Sequence, residues 1–443
     1  MFDLWLPMIG GVLAVKLIGV SDAYFIGQLG EEELAAVSYT FPVVMTLITL
    51  AIGLSSGASS VLSRAIGEEE ESAGRGQIVA GALGLTLLLS LAVAVLGAAS
   101  IRTVLGLLGA SGRPLDLATS YMYIWFSGMP VLMVPIVVNG ILRATGDGTT
   151  PALLMSGIAA LNIALNPILI YGIGPIPELG VQGAATATIL ARSAALVASV
   201  IILLNRDLLV LGFDALKEGA SRWAEIIRIG GPAAVSTSLN PVAVSIATAA
   251  VATLGTSSVA AFGVAQKVQS IALVPLLALS SASAPLAGQN SGAGETGRTR
   301  DMLRWCGIIS LIWSAAAAVF FILAGDWLAA QFTDSNAAAS QAADYLMIVP
   351  LSYAGYGIVI SFSAALNGLG RSVQALLLAG GRAMALLAPA AWIGVMLGGF
   401  IGFAWATFAA NVAAGVIAYI FFRWHSLKVT KNERTDIDRS ECE

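Results

Sequence analysis

The chain has 443 residues, of which 57% are hydrophobic and 11% charged, and its formal net charge is −4. Soluble domains carry about 25% charged residues, so this composition excludes an ordinary soluble protein, and the weak negative charge gives no support to nucleic-acid binding. The apolar residues fall into long blocks, each near the roughly 20 residues that cross a bilayer as a helix.

Twelve apolar blocks follow one another along the chain, and we predict that each is a membrane-spanning helix. Lipid offers no partners to backbone N–H and C=O groups, and the blocks are too long for barrel strands, so an all-α polytopic membrane protein is expected. The predicted spans are residues 4–29, 36–63, 78–101, 120–143, 151–172, 183–205, 228–254, 258–285, 303–325, 344–366, 374–398 and 400–423.

The basic residues predict the orientation of these spans. If the N-terminus is cytoplasmic, the Lys and Arg residues outside the spans lie in inner loops or in the tail, except Arg102 and Arg113 in outer loops. The positive-inside rule therefore predicts a multi-pass protein of the cell membrane with both termini in the cytoplasm.

The two halves of the chain repeat one another. Residues 29–67 align without gaps on residues 254–292 at a constant offset of 225, which sets Ser55 on Ser280. A second echo relates NGILRATGDG to NGLGRSVQA at nearly the same offset. Six helices are an even number, so both halves enter the membrane in the same direction. We expect two six-helix lobes related by a pseudo-two-fold axis along the membrane normal, with the substrate path between them.

This repeat divides the chain into four predicted parts. They are an N-terminal lobe (1–205), a cytoplasmic linker able to form an amphipathic surface helix (206–227), a C-terminal lobe (228–424) and a cytoplasmic tail (425–443).

Asp22 is the only carboxylate well inside an apolar block. A lone carboxylate at membrane depth is costly unless it is protonated, paired or bound to a cation, which suits a proton carrier; the alternative is a structural carboxylate held by hydroxyl groups. Asp22 lies about 8 residues before the first outer loop, hence roughly 10 Å below the outer surface at 1.5 Å per residue.

Other polar groups have a similar predicted depth. Asn162 and Asn166 are four residues apart, so they share one helix face. Pro167 removes an amide donor from the same helix and leaves a carbonyl free for a cation or a water. Thr188 and Tyr121 lie near the outer ends of their spans. These groups, together with Asp22, predict a cation- or proton-coupling site in the N-terminal half.

A substrate cavity of broad specificity would use adaptable Met and aromatic side chains. Our candidates are Lys16, Met45, Met129, Met133, Asn139 and Tyr356. The methionines and the tyrosine are equally compatible with core packing, and Lys16 with a snorkelling side chain or an ion pair.

Enzymatic classes have little support. No span holds a carboxylate pair, a His-rich cluster or a Ser/His arrangement suited to catalysis, and no phosphate-binding loop predicts ATP or another cofactor. The cysteines, Cys306 and Cys442, are too far apart in sequence to suggest a disulfide framework, and the single histidine, His425, lies in the tail.

Three functions remain as alternatives: a cation-coupled exporter, a lipid-linked precursor flippase and a channel. The two-lobe repeat argues against the channel.

Four stretches together resemble the MATE (multidrug and toxic compound extrusion) transporters, especially their DinF-like branch. They are LPMIGGVLAVKLIGVSDAYFIGQLGEEELAAVSYTFP, NGILRATGDGTTPAL, LNIALNPILIYG followed by GVQGAATATILAR, and GVAQKVQSIALVPLLALSSASAPLAGQNSGAG. The resemblance covers nearly the whole chain. It implies a monomer with twelve helices in two lobes forming a V-shaped cavity. It also implies rocker-switch export of mostly cationic or amphipathic compounds in exchange for protons or sodium.

The resemblance places the first-helix aspartate of the family at Asp22, its cation-site asparagine at Asn162, its threonine at Thr188 and its fourth-helix tyrosine at Tyr121. Many relatives carry an aspartate where this chain has Asn166, so one carboxylate is missing. A hard cation prefers charged oxygens, and we therefore expect protons rather than sodium to drive export. Sodium held by Asp22, Asn162 and Thr188 is the alternative. Lys16, at a position expected to be apolar, would repel cationic substrates.

Overall fold

The computed structural model describes residues 1–440 except residues 211 and 334, and describes their side chains except at 213 and 424–440. Every regular element in this part of the chain is helical, which confirms the predicted class. The helices are α1 (Phe2–Gly27), α2 (Glu31–Gly67), α3 (Ser72–Leu107), α4 (Gly112–Ser127), α5 (Met129–Ala144), α6 (Thr149–Tyr171), α7 (Val181–Asn205), α8 (Phe213–Ala220), α9 (Trp223–Ala252), α10 (Thr256–Ala272), α11 (Val274–Gly292), α12 (Thr296–Ala330), α13 (Asn336–Ile348), α14 (Tyr353–Gly368), α15 (Ser372–Gly380) and α16 (Ala388–Ser440).

These helices form twelve membrane spans. Among the described residues, nine helical segments are long and apolar enough to cross a membrane, and two bent pairs, α4 with α5 and α10 with α11, form one span each. The last apolar segment breaks at Gly398 and Gly399, where φ is 60° at Gly399. Only glycine adopts that conformation readily, so this segment contributes two spans, as the sequence predicts at residue 399.

The described residues form two compact units. The first comprises Met1–Ser238, Ala284–Gly294 and Asn367–Val373, and the second comprises Leu239–Ser283, Glu295–Leu366 and the described part from Gln374 onward. The side chains of His425 and Cys442, both in the tail, lie outside the described part of the structure.

The first unit extends past residue 227, the end of the predicted linker, because α9 packs closely on α2. A Cβ atom at Gly57 would lie 2.3 Å from the carbonyl oxygen of Ile226, and one at Gly53 would lie 2.5 Å from the Cβ of Ala234. Small residues let the two backbones approach to contact. The first part of α9 therefore belongs to the first unit by packing.

The predicted linker contains the short helix α8. Its Gly219 lies against the backbone of α3, where an added Cβ would be 2.2 Å from the carbonyl oxygen of Gln77. The indole of Trp223, just after α8, donates a hydrogen bond of 2.8 Å to the carbonyl of Gly81. The linker helix is thus held on the beginning of α3.

The second unit is centred on stacked aromatic rings. Phe262 and Phe403 meet edge to face with their centroids 5.0 Å apart, and Tyr345 stacks on Phe403 at 5.7 Å. These rings join α10, α13 and α16. Aromatic pairs of this geometry add about 0.5–1.5 kcal/mol beyond area burial.

The sequence repeat reappears as equivalent contacts. Ser55 donates to the carbonyl of Ile136 at 2.9 Å in the first unit, and its repeat counterpart Ser280 donates to the carbonyl of Ile360 at 3.0 Å in the second. Each hydroxyl ties the middle of one span to another span of its own unit. The two halves therefore share the same serine-to-carbonyl hydrogen bond between spans.

One contact within the first unit is reciprocal between the repeats. A Cβ at Gly67 would lie 2.1 Å from the carbonyl oxygen of Gln289, and a Cβ at Gly292 would lie 2.2 Å from the carbonyl oxygen of Arg64. The pairs 64 and 67, and 289 and 292, are related by the offset of 225 residues. The ends of α2 and α11 therefore meet through equivalent glycines.

Candidate functional site

Asp22 lies near the end of α1, which packs along α6. The two helices approach closely because a Cβ at Gly11 would be only 2.9 Å from the Cα of Ala152, and one at Gly148 only 2.6 Å from the Cα of Leu4. This close packing brings the carboxylate of Asp22 to the polar face of α6 at Asn166.

A chain of hydrogen bonds starts at Asp22. The amide nitrogen of Asn166 donates to Oδ1 of Asp22 at 2.7 Å, and it also lies 3.4 Å from the side-chain oxygen of Asn162. Asn162 in turn donates to the hydroxyl of Thr188 at 3.1 Å. The structure thus brings four of the five predicted coupling residues into one network across α1, α6 and α7. Ser21, which the sequence analysis did not single out, lies 3.5 Å from the Asn166 nitrogen.

The side chain of Asn166 can accept a further hydrogen bond. It is fully buried, and its side-chain oxygen has no partner among the described residues. A buried acceptor without a donor is costly, so this oxygen is suited to receive a proton-bearing or cationic group at the site. The proline that follows, Pro167, lies inside α6 and removes one further backbone donor.

Tyr121, the fifth predicted residue, is buried in α4. Its ring lies beside that of Trp125, with centroids 6.2 Å apart. No hydrogen bond joins Tyr121 to the network of Asp22 among the described residues. Tyr121 is therefore the one predicted coupling residue that the structure does not bring into the hydrogen-bond network.

Arg192 is a member of the site that the sequence analysis missed. Its guanidinium interacts electrostatically with Asp22, and its Nε is buried with no described hydrogen-bond partner. Arg192 lies four residues after Thr188 on α7, hence on the same face, and that spacing is the signal that could have identified it. It supplies a positive charge to an otherwise acidic and neutral cluster.

The candidates for a substrate cavity are scattered. Met129 and Met133 are fully buried in the core of the first unit, so in this structure they pack the lobe and line no open surface. Asn139 is buried, and its side-chain oxygen has no described partner. Lys16 is exposed and Met45 partly exposed.

Tyr356, the last of these candidates, lies in the second unit under a buried arginine. The guanidinium carbon of Arg382 is 4.4 Å from the centroid of the Tyr356 ring. The sequence analysis did not connect the two residues, because they lie in different spans and only the fold brings them together.

The groups around Asp22 are suited to binding and releasing a cation. The site offers one carboxylate, neutral amide and hydroxyl oxygens, and a nearby guanidinium. With Asp22 ionised, Arg192 balances its charge, and with Asp22 protonated the site keeps a net positive charge. A metal cation added to the ionised site would meet the positive charge of Arg192.

Comparisons with known proteins agree with this architecture. A family model described as MatE matches residues 7–168 and again residues 232–393, two segments related by the offset of 225 residues. The chain is 34% identical over 421 residues to a FAD transporter of Shewanella oneidensis, covering 95% of this chain and 93% of the relative. It is 26% identical over 428 residues to the multidrug export protein MepA of Staphylococcus aureus, covering 94% and 92%. The crystal structure of the Vibrio cholerae MATE transporter VcmN in the bent form superposes with a TM-score of 0.89 at 27% identity, covering 96% of both chains.

Proposed function

Because this chain belongs to the MatE family of multi-pass efflux transporters, we propose that it exports small organic molecules by alternating access in exchange for protons bound at Asp22. The observation that supports this proposal is the hydrogen-bond chain from Asp22 through Asn166 and Asn162 to Thr188. This hydrogen-bond chain begins at the only carboxylate in the described part of the protein that lies well inside a span.

The same residues account for both states of the carboxylate. Ionised Asp22 is stabilised by the amide hydrogen bond from Asn166 and by the charge of Arg192. Protonated Asp22 carries a hydrogen that needs an acceptor, and Asn166 can supply its unpartnered side-chain oxygen if its amide turns over. The two states differ by one charge, because Arg192 balances Asp22 when the carboxylate is ionised and is the one charged group of the pair when Asp22 is protonated.

Sodium is the less favoured coupling ion. Its possible ligands are the oxygens of Asp22, Asn162 and Thr188. Hard cations prefer charged oxygens, and among these three residues only Asp22 carries a carboxylate. Arg192 adds a repulsive positive charge to the same cluster. These two features favour a proton, which removes the negative charge of Asp22 by a covalent bond.

Two relatives point to different substrates. The Staphylococcus aureus relative is named a multidrug export protein, which favours the cationic or amphipathic compounds expected from the sequence. The Shewanella oneidensis relative is named a FAD transporter, which favours an anionic nucleotide, and the buried Arg382 of this chain fits such a substrate better than a cation. Export of a flavin nucleotide is therefore our second candidate function.

The remaining expectations from the sequence belong to the same proposal. We propose a plasma-membrane location with both termini in the cytoplasm, a monomer, and alternating access by movement of the predicted lobes 1–205 and 228–424. A lipid-linked precursor flippase remains the alternative if no soluble compound is moved.

The test uses proteoliposomes with an acidic lumen diluted into a neutral buffer, and a parallel set loaded with sodium at equal pH. Uptake of ethidium and of FAD is measured for the wild type, for Asp22→Asn and for the control Asp344→Asn in the second unit. We expect the pH gradient to drive uptake of at least one compound, loss of that uptake in Asp22→Asn, and retention in Asp344→Asn. Uptake driven by sodium alone, or unchanged in Asp22→Asn, would contradict the proposal.

A further inference from the structure

The second unit contains a buried arginine in the middle of a span. Arg382 lies 10 residues into the eleventh span, which begins at Ser372, and this corresponds to roughly 15 Å at 1.5 Å per residue. Its partners Asn240 and Asn411 lie in the middle of the seventh and twelfth spans. Ionisable residues at such depth are expensive and are functional candidates by default.

The guanidinium is held by neutral groups alone. Its Nε and one terminal nitrogen donate to the side-chain oxygen of Asn411 at 3.1 and 2.9 Å, and the other terminal nitrogen donates to that of Asn240 at 3.2 Å. The amide nitrogen of Asn411 donates to the hydroxyl of Ser352 at 3.0 Å, which fixes the orientation of the amide. Tyr356 covers one face of the guanidinium at 4.4 Å.

No counter-ion within the described part of the chain balances this charge. Arg382 is only 8% exposed, and among the described residues no carboxylate lies within ion-pairing distance of it. A guanidinium has five N–H donors, and three of them are used by the two asparagines. A buried cation without a partner is strongly unfavourable, so the cluster has both the charge and the free donors to receive an anion.

The cluster lies on the repeat counterparts of the three spans that carry the Asp22 site. The first, fifth and sixth spans carry Asp22, the asparagine pair and Thr188, and their counterparts, the seventh, eleventh and twelfth spans, carry Asn240, Arg382 and Asn411. Equivalent spans of the repeat thus hold Asp22 with Arg192 in one half and Arg382 with two asparagines in the other, at different depths along the spans. Such a difference in charge is expected if one half binds the coupling proton and the other half binds the substrate.

Two local features favour a binding role over a purely structural one. Arg382 lies in a π-helical turn, Gly381–Leu387, and such turns occur frequently at functional sites. Asn240 and Tyr356 are partly exposed, so the cluster reaches the surface of its unit.

We propose that Arg382, with Asn240, Asn411 and Tyr356, binds a phosphate group of the exported substrate. This inference rests on the proposed export function and specifies its substrate class. A guanidinium fits phosphate through paired N–H donors, and the two uncommitted donors of Arg382 supply such a pair. Tyr356 and Asn240 are the partly exposed members of the cluster, so a phosphate would meet them first.

The experiment compares riboflavin with FMN, which differs from it by one phosphate ester, on purified protein without any gradient. Flavin fluorescence gives the dissociation constants for the wild type, Arg382→Gln and Arg382→Lys. The matched control is Arg304→Gln, which removes an exposed arginine of α12. We expect the wild type to prefer FMN about tenfold or more, and Arg382→Gln to weaken FMN binding by about ten- to hundredfold, the range of a charge-assisted hydrogen bond. Riboflavin binding should stay unchanged.

Arg382→Lys keeps the positive charge but loses the paired N–H donors of the guanidinium. It should therefore retain part of the preference for FMN over riboflavin, even if Arg382→Gln does not fold. Arg304→Gln should behave as the wild type. Equal affinity of the wild type for FMN and riboflavin overturns the proposal, and so does equal weakening of both flavins in Arg382→Gln. Binding of neither flavin, with no thermal stabilisation by inorganic pyrophosphate, overturns it as well. Failure of proton coupling would appear instead in the transport of Asp22→Asn, which this binding measurement does not use.

Discussion

Asn166 decides the charge of the coupling site at the scale of single residues. Its amide nitrogen donates to Asp22 at 2.7 Å, in a position where an aspartate would set two carboxylates side by side. Like charges this close oppose simultaneous ionisation unless a cation lies between them. We therefore expect the identity of residue 166 to control which ion the site accepts.

We predict that Asn166→Asp creates a sodium response absent from the wild type. A ligand that binds only the folded state stabilises it by about 2.7 kcal/mol at a concentration a hundredfold above its dissociation constant. The thermal unfolding midpoint in sodium chloride, compared with choline chloride, should rise for Asn166→Asp. It should stay the same for the wild type and for Asn205→Asp, which adds an exposed carboxylate at the end of α7. A sodium-specific rise of equal size in the wild type would show that one carboxylate suffices.

The sequence predicted this residue network better than the charges around it. Asp22 stood out as the only deeply placed carboxylate, and the spacing of Asn162 and Asn166 identified their common helix face. Arg192 and Arg382 were harder to interpret, because an arginine inside a span has the same local sequence whether it faces a partner helix, a ligand or the span end. Only tertiary packing distinguishes these cases.

At the scale of helices, the close contacts depend on glycines that the hydropathy pattern does not single out. Hydropathy located the spans, including the boundary at Gly399, but carried no information on the 56° bend between α4 and α5 or the 49° bend between α10 and α11. The repeat identified Gly67 and Gly292 as equivalent, and the structure adds that their helices touch.

We predict that Gly67→Ala destabilises the protein, because the new Cβ would lie 2.1 Å from the carbonyl oxygen of Gln289. Overpacking of this kind costs about 1–3 kcal/mol. The matched control is Gly263→Ala in α10, where nothing lies within 4 Å of the added atom, and helix propensity favours alanine by about 1 kcal/mol. Unfolding in detergent, followed by circular dichroism, should show opposite shifts for the two variants. Shifts of the same sign and size would mean that the contact between α2 and α11 is loose.

At the scale of the whole molecule, the distribution of basic residues predicts the orientation in the membrane. We predict that Ser111→Cys, in a loop before α4, reacts with a membrane-impermeant maleimide on intact cells. Ser221→Cys, after α8, should react only once the cells are permeabilised. Both variants are made with Cys306 and Cys442 replaced by serine. The opposite labelling pattern would invert the topology and place Asp22 near the inner surface.

The exchange of a proton for substrate is the claim on which the whole account depends, and proton movement can be measured directly. Proteoliposomes with a pH-sensitive dye in the lumen and no initial gradient are mixed with the substrate identified in the transport assay. Entry of substrate should make the lumen more alkaline in the wild type, as protons leave in exchange, and should leave it unchanged in Asp22→Asn. Transport by the wild type without any pH change, or the same pH change in both proteins, would contradict the role assigned to Asp22.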